Sequence, residues 1–472
     1  MKSLRTVIFL AELNGLKTWA TDIGNAYLEA ETSEKVFIIA GPEFGELEGH
    51  TLVIFKALYG LRSSGLRWSE KFSLCLRDMG FFPSLADPCI WMRRVDNHYE
   101  YIAVYVDDLA IASKCPAGII RALTEDYKFK LKGTGLIEFH LGCDFFRDEE
   151  GVSCFAPRKY IDKLIASYER MFGSKPRTNK ITSPLVKGDH PEIDDSTFLE
   201  EEGIQQYQSL IGQLQWAISL GRFDIAVAIM TMSAFRSAPR KGHLDRVKRI
   251  CGYLSKMRHS AIRIRTEEPD YSDIPRTEYD WEFSVYRGAR EEIPKDAPQP
   301  LGKPVVITTY VDANLYHCML TGKSVSGVLH LFNKTPVDWY AKKQGTSETA
   351  TYGSEYVAAR TATEQIIDNR LSLRYLGVPV KESFMFGDNK SVVNSSNVPA
   401  GKLHKRHIAL SWHRVRESIA AKILYFIHIP GAINPSDMLS KQWGYQQTWT
   451  QLQALLFWQG DTTDLLKEEK SE

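Results

Sequence analysis

The sequence predicts an α+β protein in which a mixed helix-and-strand half is followed by an α/β domain with a five-stranded mixed sheet. Three observations support this class. A run of β-prone residues interrupted by two acids, at residues 101–113, has the pattern of a tight hairpin. Apolar residues at i, i+3 and i+4 spacing between residues 160 and 254 indicate amphipathic helices. After residue 304, strand-like and helix-like segments alternate, as is typical of an α/β domain.

Length and composition are those of an ordinary globular protein of two to four domains, with 472 residues, 43% hydrophobic and 25% charged. The longest apolar runs are well short of the ~20 residues that a membrane helix needs, so we expect no membrane partner. The first residues are too charged for a good signal peptide. Seven cysteines, none in a Cys-x-x-Cys pair, favour reduced thiols in an intracellular protein.

The net charge of +1 conceals a strongly basic segment at residues 236–265, which contains ten Lys and Arg and one acid. Such a block is either a solvated helix face or a contact for nucleic-acid phosphates. One side of the predicted helix is apolar, from Leu244 to Leu254. Its other side carries the cations that we predict to contact phosphates, Arg246, Lys248, Arg249 and Lys256.

The N-terminal half begins with a predicted helix over residues 3–16 and a short strand that carries Asp22. Further on, Asp107 and Asp108 lie at the tip of the predicted hairpin. Adjacent carboxylates repel each other, but a divalent cation such as Mg²⁺ prefers closely spaced oxygen ligands. With a third carboxylate, such a pair can hold two ions about 3.5–4 Å apart. Alternatively, Asp107 and Asp108 lie in a solvated turn and Asp22 caps a helix.

The C-terminal domain is predicted to have three strands, a helix, a fourth strand, a helix, a fifth strand and a short helix. The first strand, residues 305–311, is expected to end on an acidic residue, and the fourth also ends on one. Four carboxylates converging on one sheet can hold two Mg²⁺ ions. These candidate ligands are Asp312, Glu355, Asp388 and Asp437.

Several motifs together resemble those of copia-type LTR-retrotransposon reverse transcriptases, and they occur in the same order. They begin at Asp22 (Asp-Ile-Gly-Asn-Ala-Tyr-Leu), Lys56 (Lys-Ala-Leu-Tyr-Gly-Leu), Asp87 (Asp-Pro-Cys-Ile-Trp) and Tyr105 (Tyr-Val-Asp-Asp). The resemblance continues to Arg222 (Arg-Phe-Asp-Ile-Ala) and covers nearly the whole chain. The co-occurrence of these motifs is far more specific than any one of them.

The resemblance implies a polymerase palm and thumb with incomplete fingers, in which Asp22, Asp107 and Asp108 are catalytic metal ligands. It implies two Mg²⁺ ions per active site, with Mn²⁺ as an alternative. The expected partners are an RNA template, a DNA primer and deoxynucleoside triphosphates. Tyr27 would exclude a ribose 2′-hydroxyl by steric contact; a core tyrosine is the alternative. The segment at residues 133–146, followed by a turn at residues 148–151, would form the hairpin that holds the primer.

The C-terminal order of strands, helices and acids resembles ribonuclease H, which implies cleavage of the RNA strand of an RNA–DNA hybrid. The usual Glu-Ala-Glu-Tyr of the family is here Gly-Ser-Glu-Tyr, and an alignment on Glu-x-x-Ala keeps Glu355 as the ligand. A basic segment supplies Lys405, Arg406 and His407 as candidate nucleic-acid contacts. Histidines that cap or bridge structural elements are the alternative.

These inferences predict a palm with partial fingers at residues 1–155, thumb and connection helices at 156–265 and an acidic Pro-rich connector at 266–303. A ribonuclease H-like domain at 304–445 and a tail at 446–472 would follow. The family carries a basic fingers segment before the first motif, and this sequence shows none there, so we expect weak or absent polymerase activity and retained ribonuclease activity. The alternative is an inactive transposon relic that still binds nucleic acid, although all seven carboxylates are present. A role in transposition implies a virus-like particle or the nucleus.

Overall fold

The computed structural model describes residues 1–403, 405–444, 451–452 and 455–458. The chain divides into two compact units. The first contains Ser3–Leu141 with Tyr375–Gly377, and the second contains Met1–Lys2, Gly142–Arg374 and the described residues from Val378 onward. The finer division into five segments stays a prediction, and most of the predicted tail lies outside the described residues.

The first unit is built on a six-stranded sheet with the strand order β4-β5-β6-β7-β1-β8, and β2 and β3 form a separate antiparallel pair. Its elements are α1 (Lys2–Asn14), β1 (Lys17–Ile23), α2 (Ala26–Glu29), β2 (Glu31–Ile39), β3 (Thr51–Lys56), α3 (Ser64–Asp78), β4 (Phe82–Pro83), β5 (Ile90–Val95), β6 (His98–Tyr105), β7 (Asp108–Ser113), α4 (Pro116–Arg121), β8 (Leu131–Leu136) and β9 (Phe139–His140).

The predicted hairpin is formed by β6 and β7, with its turn one residue earlier than expected. Tyr105 pairs with Asp108, so Val106 and Asp107 make the turn and Asp108 begins β7. Alternate residues of these strands, such as Ile102 and Leu109, are fully buried. They belong to one apolar core with Trp68 and Phe72 of α3. The opposite face of β7 is also buried but carries the small Ala110 and Ala112, so a shift by one residue would put alanines where this core packs large apolar side chains.

The second unit contains an all-antiparallel set of strands, a group of helices and a mixed sheet. Its elements are β10 (Cys143–Arg147), β11 (Ser153–Ala156), α5 (Arg158–Phe172), α6 (Glu201–Ser219), α7 (Ala226–Met232), α8 (Lys241–Lys256), β12 (Ser260–Arg263), β13 (Val305–Cys318), β14 (Lys323–Phe332), β15 (Thr335–Lys343), α9 (Thr351–Tyr375), β16 (Val380–Gly387), α10 (Lys390–Asn397), α11 (Ala409–Ala420), β17 (Tyr425–His428), α12 (Asp437–Ser440) and β18 (Leu456–Trp458).

The turn predicted at residues 148–151 forms and joins β10 to β11, but the predicted segment before it, residues 133–146, is divided between the two units. β8 pairs with β1 in the first unit, whereas β10 pairs with β11 in the second. Between them, Leu141 and Gly142 both have positive φ angles, of 48° and 91°. A left-handed pair of residues turns the chain sharply, which is a conformation that glycine adopts at little cost.

The mixed sheet has the order β15-β14-β13-β16-β17. Its first three strands are antiparallel, and β16 and β17 run parallel to β13. This is the five-stranded mixed sheet that the sequence predicted. One detail differs, because β13 does not end at Asp312 but continues to Cys318. Tyr356 and Ala359 of α9 pack against Val311, Val328 and Met385 of the sheet.

The predicted connector at residues 266–303 has no regular helix or strand, but it packs against the mixed sheet and α9. The Tyr271 ring lies 4.8 Å from that of Phe384, between ring centroids. The carboxylate of Glu291 pairs with the guanidinium groups of Arg370 and Arg374. The segment is therefore part of the second unit. None of the helices in the described part of the chain has the length and apolarity that a membrane crossing requires.

A buried ion pair links the segment after α6 to α8. Arg222 donates two hydrogen bonds to the Asp224 carboxylate, at 3.0 and 2.7 Å, and their side chains are 1% and 0% exposed. The Tyr253 hydroxyl donates to the same carboxylate at 2.8 Å, and Arg222 also donates to the Met257 carbonyl. A buried charge pair of this kind depends on every partner, because each charge is satisfied only by the others.

Replacement of Asp224 by Ala is expected to lower the free energy of unfolding of the second unit by about 3–5 kcal/mol, because it leaves the Arg222 guanidinium buried without its counter-charge. Urea unfolding followed by tryptophan fluorescence measures this change. The exposed Asp195→Ala is the matched control and should shift stability by no more than about 0.5 kcal/mol. A loss for Asp224→Ala as small as that of the control would contradict the assignment.

Candidate active sites

The first candidate site lies where β1 and β7 pair in the first unit. Asp22 and Asp108 are direct partners in the antiparallel register, so their α-carbons face each other across the two strands. Asp107 lies at the adjacent turn, and its carbonyl accepts a hydrogen bond from the Ile23 amide at 2.9 Å. Three carboxylates that are far apart in sequence are thus brought to one end of the sheet. All three side chains are half-buried.

The turn that presents these carboxylates is conformationally strained. Val106 has a φ angle of 60°, which is a rare conformation for a β-branched residue. Such residues persist only where the surrounding structure holds them, and they cluster at functional sites. Here the Trp68 indole donates a hydrogen bond to the Val106 carbonyl at 2.8 Å. Helix α3 therefore holds the turn in place, because the buried Trp68 ring fixes the position of the indole N–H that donates to it.

The local electrostatics match a cation site. Partial burial raises the pKa of Asp108, and the negative charges of Asp107 and Asp22 raise it further. A divalent cation would relieve this repulsion. The carboxylate oxygens of the three residues do not all come within 4.8 Å of one another, unlike those of the second site. The three side chains fit a metal site in charge and position, with oxygens more widely spaced than in the second site.

Two tyrosines stand beside the carboxylates. The rings of Tyr27 and Tyr59 lie 4.6 Å apart, with an interplanar angle of 35°. Partial desolvation raises the pKa of Tyr59, as do the charges of Asp107, Tyr27 and Asp22. Its side chain is 60% exposed. Sequence reasoning quoted the motif that contains Tyr59 but assigned this residue no role; the signal was an aromatic residue inside a family motif.

The second candidate site lies at one edge of the mixed sheet in the second unit. Oxygen atoms of Asp312, Asp388 and Asp437 all lie within 4.8 Å of one another. Asp312 is on β13 and Asp388 directly follows β16, and these two strands are adjacent and parallel. Asp437 begins α12. The predicted convergence of these three carboxylates is observed; their role as ligands stays a prediction.

A close backbone approach brings α12 to the sheet. Gly327 of β14 is the register partner of Asp312. A Cβ atom at Gly327 would lie 2.7 Å from the Ser436 carbonyl oxygen and 2.8 Å from backbone atoms of Leu439 and Ser440. Only glycine permits this contact, because no other residue lacks a Cβ. The contact places Asp437 beside Asp312.

Glu355 of α9 is buried close to this cluster but is not within the 4.8 Å group. Burial raises its pKa well above the ordinary value, and the charges of Asp312 and Asp388 raise it further. The amide of Ala313 donates a hydrogen bond to it. The alignment on Glu-x-x-Ala therefore selected a glutamate whose carboxylate lies close to the other three.

The carboxylates of the second site strongly disfavour being ionised together. Burial and the charge of Asp312 raise the pKa of Asp437 to about 7, although the Lys441 ammonium opposes this shift. Burial and Asp312 also raise the pKa of Asp388. Asp437 Oδ1 is buried and contacts Lys441 Nζ, 3.0 Å away. A group of buried carboxylates with a single ammonium beside it keeps a net negative charge that a divalent cation would stabilise, so the residues present fit such an ion.

Some basic side chains of α8 are engaged by other residues of the protein and are less accessible to a partner than predicted. Arg246 pairs with Asp189 at 2.7 Å and with Asp194 at 2.6 Å. Its guanidinium is thereby engaged within the protein, so we remove Arg246 from the predicted phosphate contacts. Lys248 lies with its Nζ 4.3 Å from the centre of the Phe172 ring. Three phosphate contacts on this helix stay predictions, all with half-buried side chains: Lys248, Arg249 and Lys256.

The basic segment before α11 makes contacts of its own. His407 Nε2 lies 2.7 Å from a Glu348 carboxylate oxygen, and Lys405 donates to the Thr349 hydroxyl at 3.2 Å. These contacts favour the bridging interpretation for His407. Arg406 is exposed. Nucleic-acid contact by these residues stays a prediction.

Replacement of Asp437 by Asn should stabilise the second unit at pH 8 when divalent cations are chelated. The raised pKa means that the folded protein favours the protonated carboxyl, so the stability that this group contributes is full in acid and is lost as the pH rises through about 7. Asn resembles the protonated form. The stabilities of the two proteins should converge towards about pH 4, the ordinary pKa of aspartate.

Thermal unfolding in EDTA between pH 4 and 8 measures this difference. Asp195→Asn, on an exposed side chain, is the control for the loss of one negative charge. A variant that is less stable than the wild type at pH 8, with a gap that widens as the pH rises, would contradict the assignment of repulsion at the cluster.

Comparison with known proteins supports these observations. Residues 1–183 match the model of the reverse transcriptase (RNA-dependent DNA polymerase) family. The chain is 26% identical to the Pol polyprotein of transposon TNT 1-94 from Nicotiana tabacum, over 93% of this chain and 31% of that protein. It is 23% identical to the Pol polyprotein of transposon RE1 from Arabidopsis thaliana, over 93% of this chain and 27% of that protein.

A putative transposon Ty5-1 protein from Saccharomyces cerevisiae is 24% identical over 74% of this chain and 99% of its own length. The chain thus spans about a third or less of the two plant polyproteins that it matches. The matches agree with the motifs at Asp22, Lys56, Asp87 and Tyr105. Over most of its length the chain is similar to copia-type retrotransposon Pol polyproteins, and its first 183 residues match the reverse transcriptase family.

Proposed function

We propose that this chain is an RNA-directed DNA polymerase that also cleaves the RNA strand of an RNA–DNA hybrid, with one active site in each unit. The observation that carries the first activity is the direct pairing of Asp22 with Asp108 beside the strained turn. The second activity is supported by Asp312, Asp388 and Asp437, whose oxygens converge within 4.8 Å on the mixed sheet.

Divalent cations, Mg²⁺ or alternatively Mn²⁺ and two per site, would activate the attacking oxygen and stabilise charge on the leaving group at both centres. In the first unit Asp22, Asp107 and Asp108 would hold them. In the second unit the ligands would be Asp312, Asp388, Asp437 and Glu355. Burial raises the pKa values of Asp108 and Asp437, and neighbouring negative charge raises them further; this is the charge that such ions would balance.

The remaining residues of the first site would position the nucleotide. The rigid turn fixes Asp107 and Asp108, because Trp68 and Ile23 hold its two carbonyl groups. Preorganised ligands of this kind contribute to catalysis since they need no rearrangement during the reaction. Tyr27, supported by the ring of Tyr59, would form the wall that faces the sugar.

The proposed partners are an RNA template, a DNA primer, deoxynucleoside triphosphates and the RNA–DNA hybrid. Phosphate contacts by Lys248, Arg249, Lys256, Lys405, Arg406 and His407 belong to the same proposal. The relationship to transposon polyproteins also supports a role in transposition, inside a virus-like particle or the nucleus.

Two single substitutions should separate the activities. Asp108→Asn is expected to reduce nucleotide incorporation on a labelled RNA template with a DNA primer by at least about 100-fold, because a lost metal ligand removes several kcal/mol of transition-state stabilisation. It should leave hybrid cleavage unchanged. Asp312→Asn should reduce hybrid cleavage and leave nucleotide incorporation unchanged. Asp195→Asn should change neither activity.

Both activities are measured on the same labelled hybrid, with EDTA as a further control that should abolish both. Absence of either activity in the wild-type chain would refute that part of the proposal. Loss of both activities from Asp108→Asn alone would refute the assignment of separate centres.

Replacement of Tyr27 by Ala should weaken discrimination against ribonucleotides. Without the ring, a 2′-hydroxyl no longer meets a steric barrier, so the ratio of kcat/KM for dTTP to that for UTP should fall on the order of 10–100-fold. Steady-state incorporation with each nucleotide measures the ratio. Tyr279→Ala, an exposed tyrosine of the second unit, is the control. An unchanged ratio would return Tyr27 to a purely structural role.

A further inference from the structure

A lysine side chain reaches into the second carboxylate cluster. Lys441 Nζ lies 3.0 Å from Asp437 Oδ1 and 3.5 Å from Asp312 Oδ2. Asp437 is the first residue of α12, and Lys441, four residues later, directly follows the last residue of this helix. The ammonium therefore contacts two of the oxygens that the proposed function assigns to metal ligands. Sequence reasoning gave Lys441 no role, because the pairing with Asp312 joins residues more than a hundred positions apart.

The charges around this lysine are unbalanced. Asp312, Asp388, Asp437 and Glu355 surround the site, and Ser440 donates a hydrogen bond to Asp312 without adding charge. His428 Nε2 lies 3.1 Å from the Asp388 carbonyl oxygen. Among the described residues, Lys441 is the lysine whose ammonium contacts the carboxylates of the cluster. One ammonium beside four carboxyl groups occupies the kind of position that a divalent ion would take.

We propose that the Lys441 ammonium substitutes for a divalent cation in the metal-free cluster, where it holds Asp312 and Asp437 together, and that metal binding displaces it. Lys441 is thus a positioning residue that sets the metal affinity of the second site. This inference rests on the proposed function of that site as a metal-dependent nuclease.

Displacement is sterically feasible for this side chain. Lys441 follows α12 in an extended conformation, with φ −138° and ψ 158°, so its movement leaves the helix intact. Its side chain is 39% exposed. A lysine has four methylene groups and keeps rotamer freedom when its end is in water. The ammonium can therefore leave for solvent, which a buried arginine or histidine in its place could not do so readily.

The proposal and a simple structural ion pair predict opposite signs for metal affinity. If Lys441 competes with the metal, its neutral replacement raises affinity, because the ion no longer displaces a positive charge. If Lys441 merely fastens α12 to the sheet, the same replacement loosens Asp437 and lowers affinity. In the metal-free protein the two interpretations, competition with the metal and a structural ion pair, both predict a lower stability for the neutral variant.

The test uses the full chain with Asp22→Asn and Asp108→Asn, which silence the first site as a source of metal binding. Lys441→Met keeps the length of the side chain and removes its charge; Lys441→Gln is a second neutral variant, and Lys441→Arg retains the charge. Lys402→Met, on an exposed lysine of the same unit, is the matched control. Free Mn²⁺ is measured by electron paramagnetic resonance at low ionic strength without nucleic acid.

We expect Lys441→Met and Lys441→Gln to lower the Kd for Mn²⁺ about 5- to 10-fold, an effect that shrinks as KCl screens the charges. Their Tm in EDTA should be lower than that of the parent, and Mn²⁺ should raise it by more. Lys402→Met should bind Mn²⁺ as the parent does, and Lys441→Arg, which keeps the charge, should bind it no more tightly than the parent. Addition of Asp312→Asn to Lys441→Met should abolish the tight binding, which assigns it to the cluster.

An unchanged or weaker Mn²⁺ affinity in both neutral variants would overturn the proposal and favour the structural ion pair. In that outcome the nuclease function stands, provided that the parent binds Mn²⁺ and cleaves the hybrid. A parent that binds no Mn²⁺ at millimolar concentration would overturn both, because the cluster would then not be a metal site.

Discussion

Mutual repulsion between carboxylates is the constraint on which both candidate sites depend. Each unit gathers acidic side chains at the end of adjacent strands, where burial and like charge disfavour their ionisation. Folding alone gives no reason to collect them there. Each arrangement therefore has to be held by other parts of the fold, and its net negative charge defines the type of ligand, a small multivalent cation, that would balance it.

The two units hold their carboxylates by different means. In the first, a two-residue turn with a left-handed Val106 is fixed by hydrogen bonds from Trp68 and Ile23, so rigidity comes from the backbone. In the second, the parallel pairing of β13 and β16 aligns Asp312 with Asp388, and a glycine at position 327 admits α12. Both solutions position the carboxylates through contacts elsewhere in the fold, and in the second unit the Lys441 ammonium contacts the oxygens that are brought together.

Charge also explains why basic residues here cannot all be counted as nucleic-acid contacts. Arg246 is bound by two aspartates, His407 is close to Glu348, and Lys441 is directed into an acidic cluster. Arg246 and Lys441 are cations that neutralise negative charge within the protein, and His407 is engaged by a carboxylate of the protein itself. A basic sequence segment measures the local density of cations, but the charge left for a partner depends on which acids the fold places beside them.

The sequence by itself determined the elements whose patterns are local. It predicted the β6–β7 hairpin, the apolar side of α8, the five-stranded mixed sheet and, through its motifs, the family. These follow from alternation, helical spacing and short motifs, which are all readable within about 20 residues. It also identified Asp22, Asp107 and Asp108 as a set, because the order of family motifs contains them.

Only the tertiary structure decided the features that join distant segments. The pairing of Arg246 with Asp189 and Asp194 and the approach of Lys441 to Asp312 have no local signal. The same holds for the separation of β8 from β10, and for the passage of β13 through Asp312. In each case the outcome depends on which surfaces pack together, and hydrophobic burial and backbone pairing determine this over the whole unit rather than within a segment.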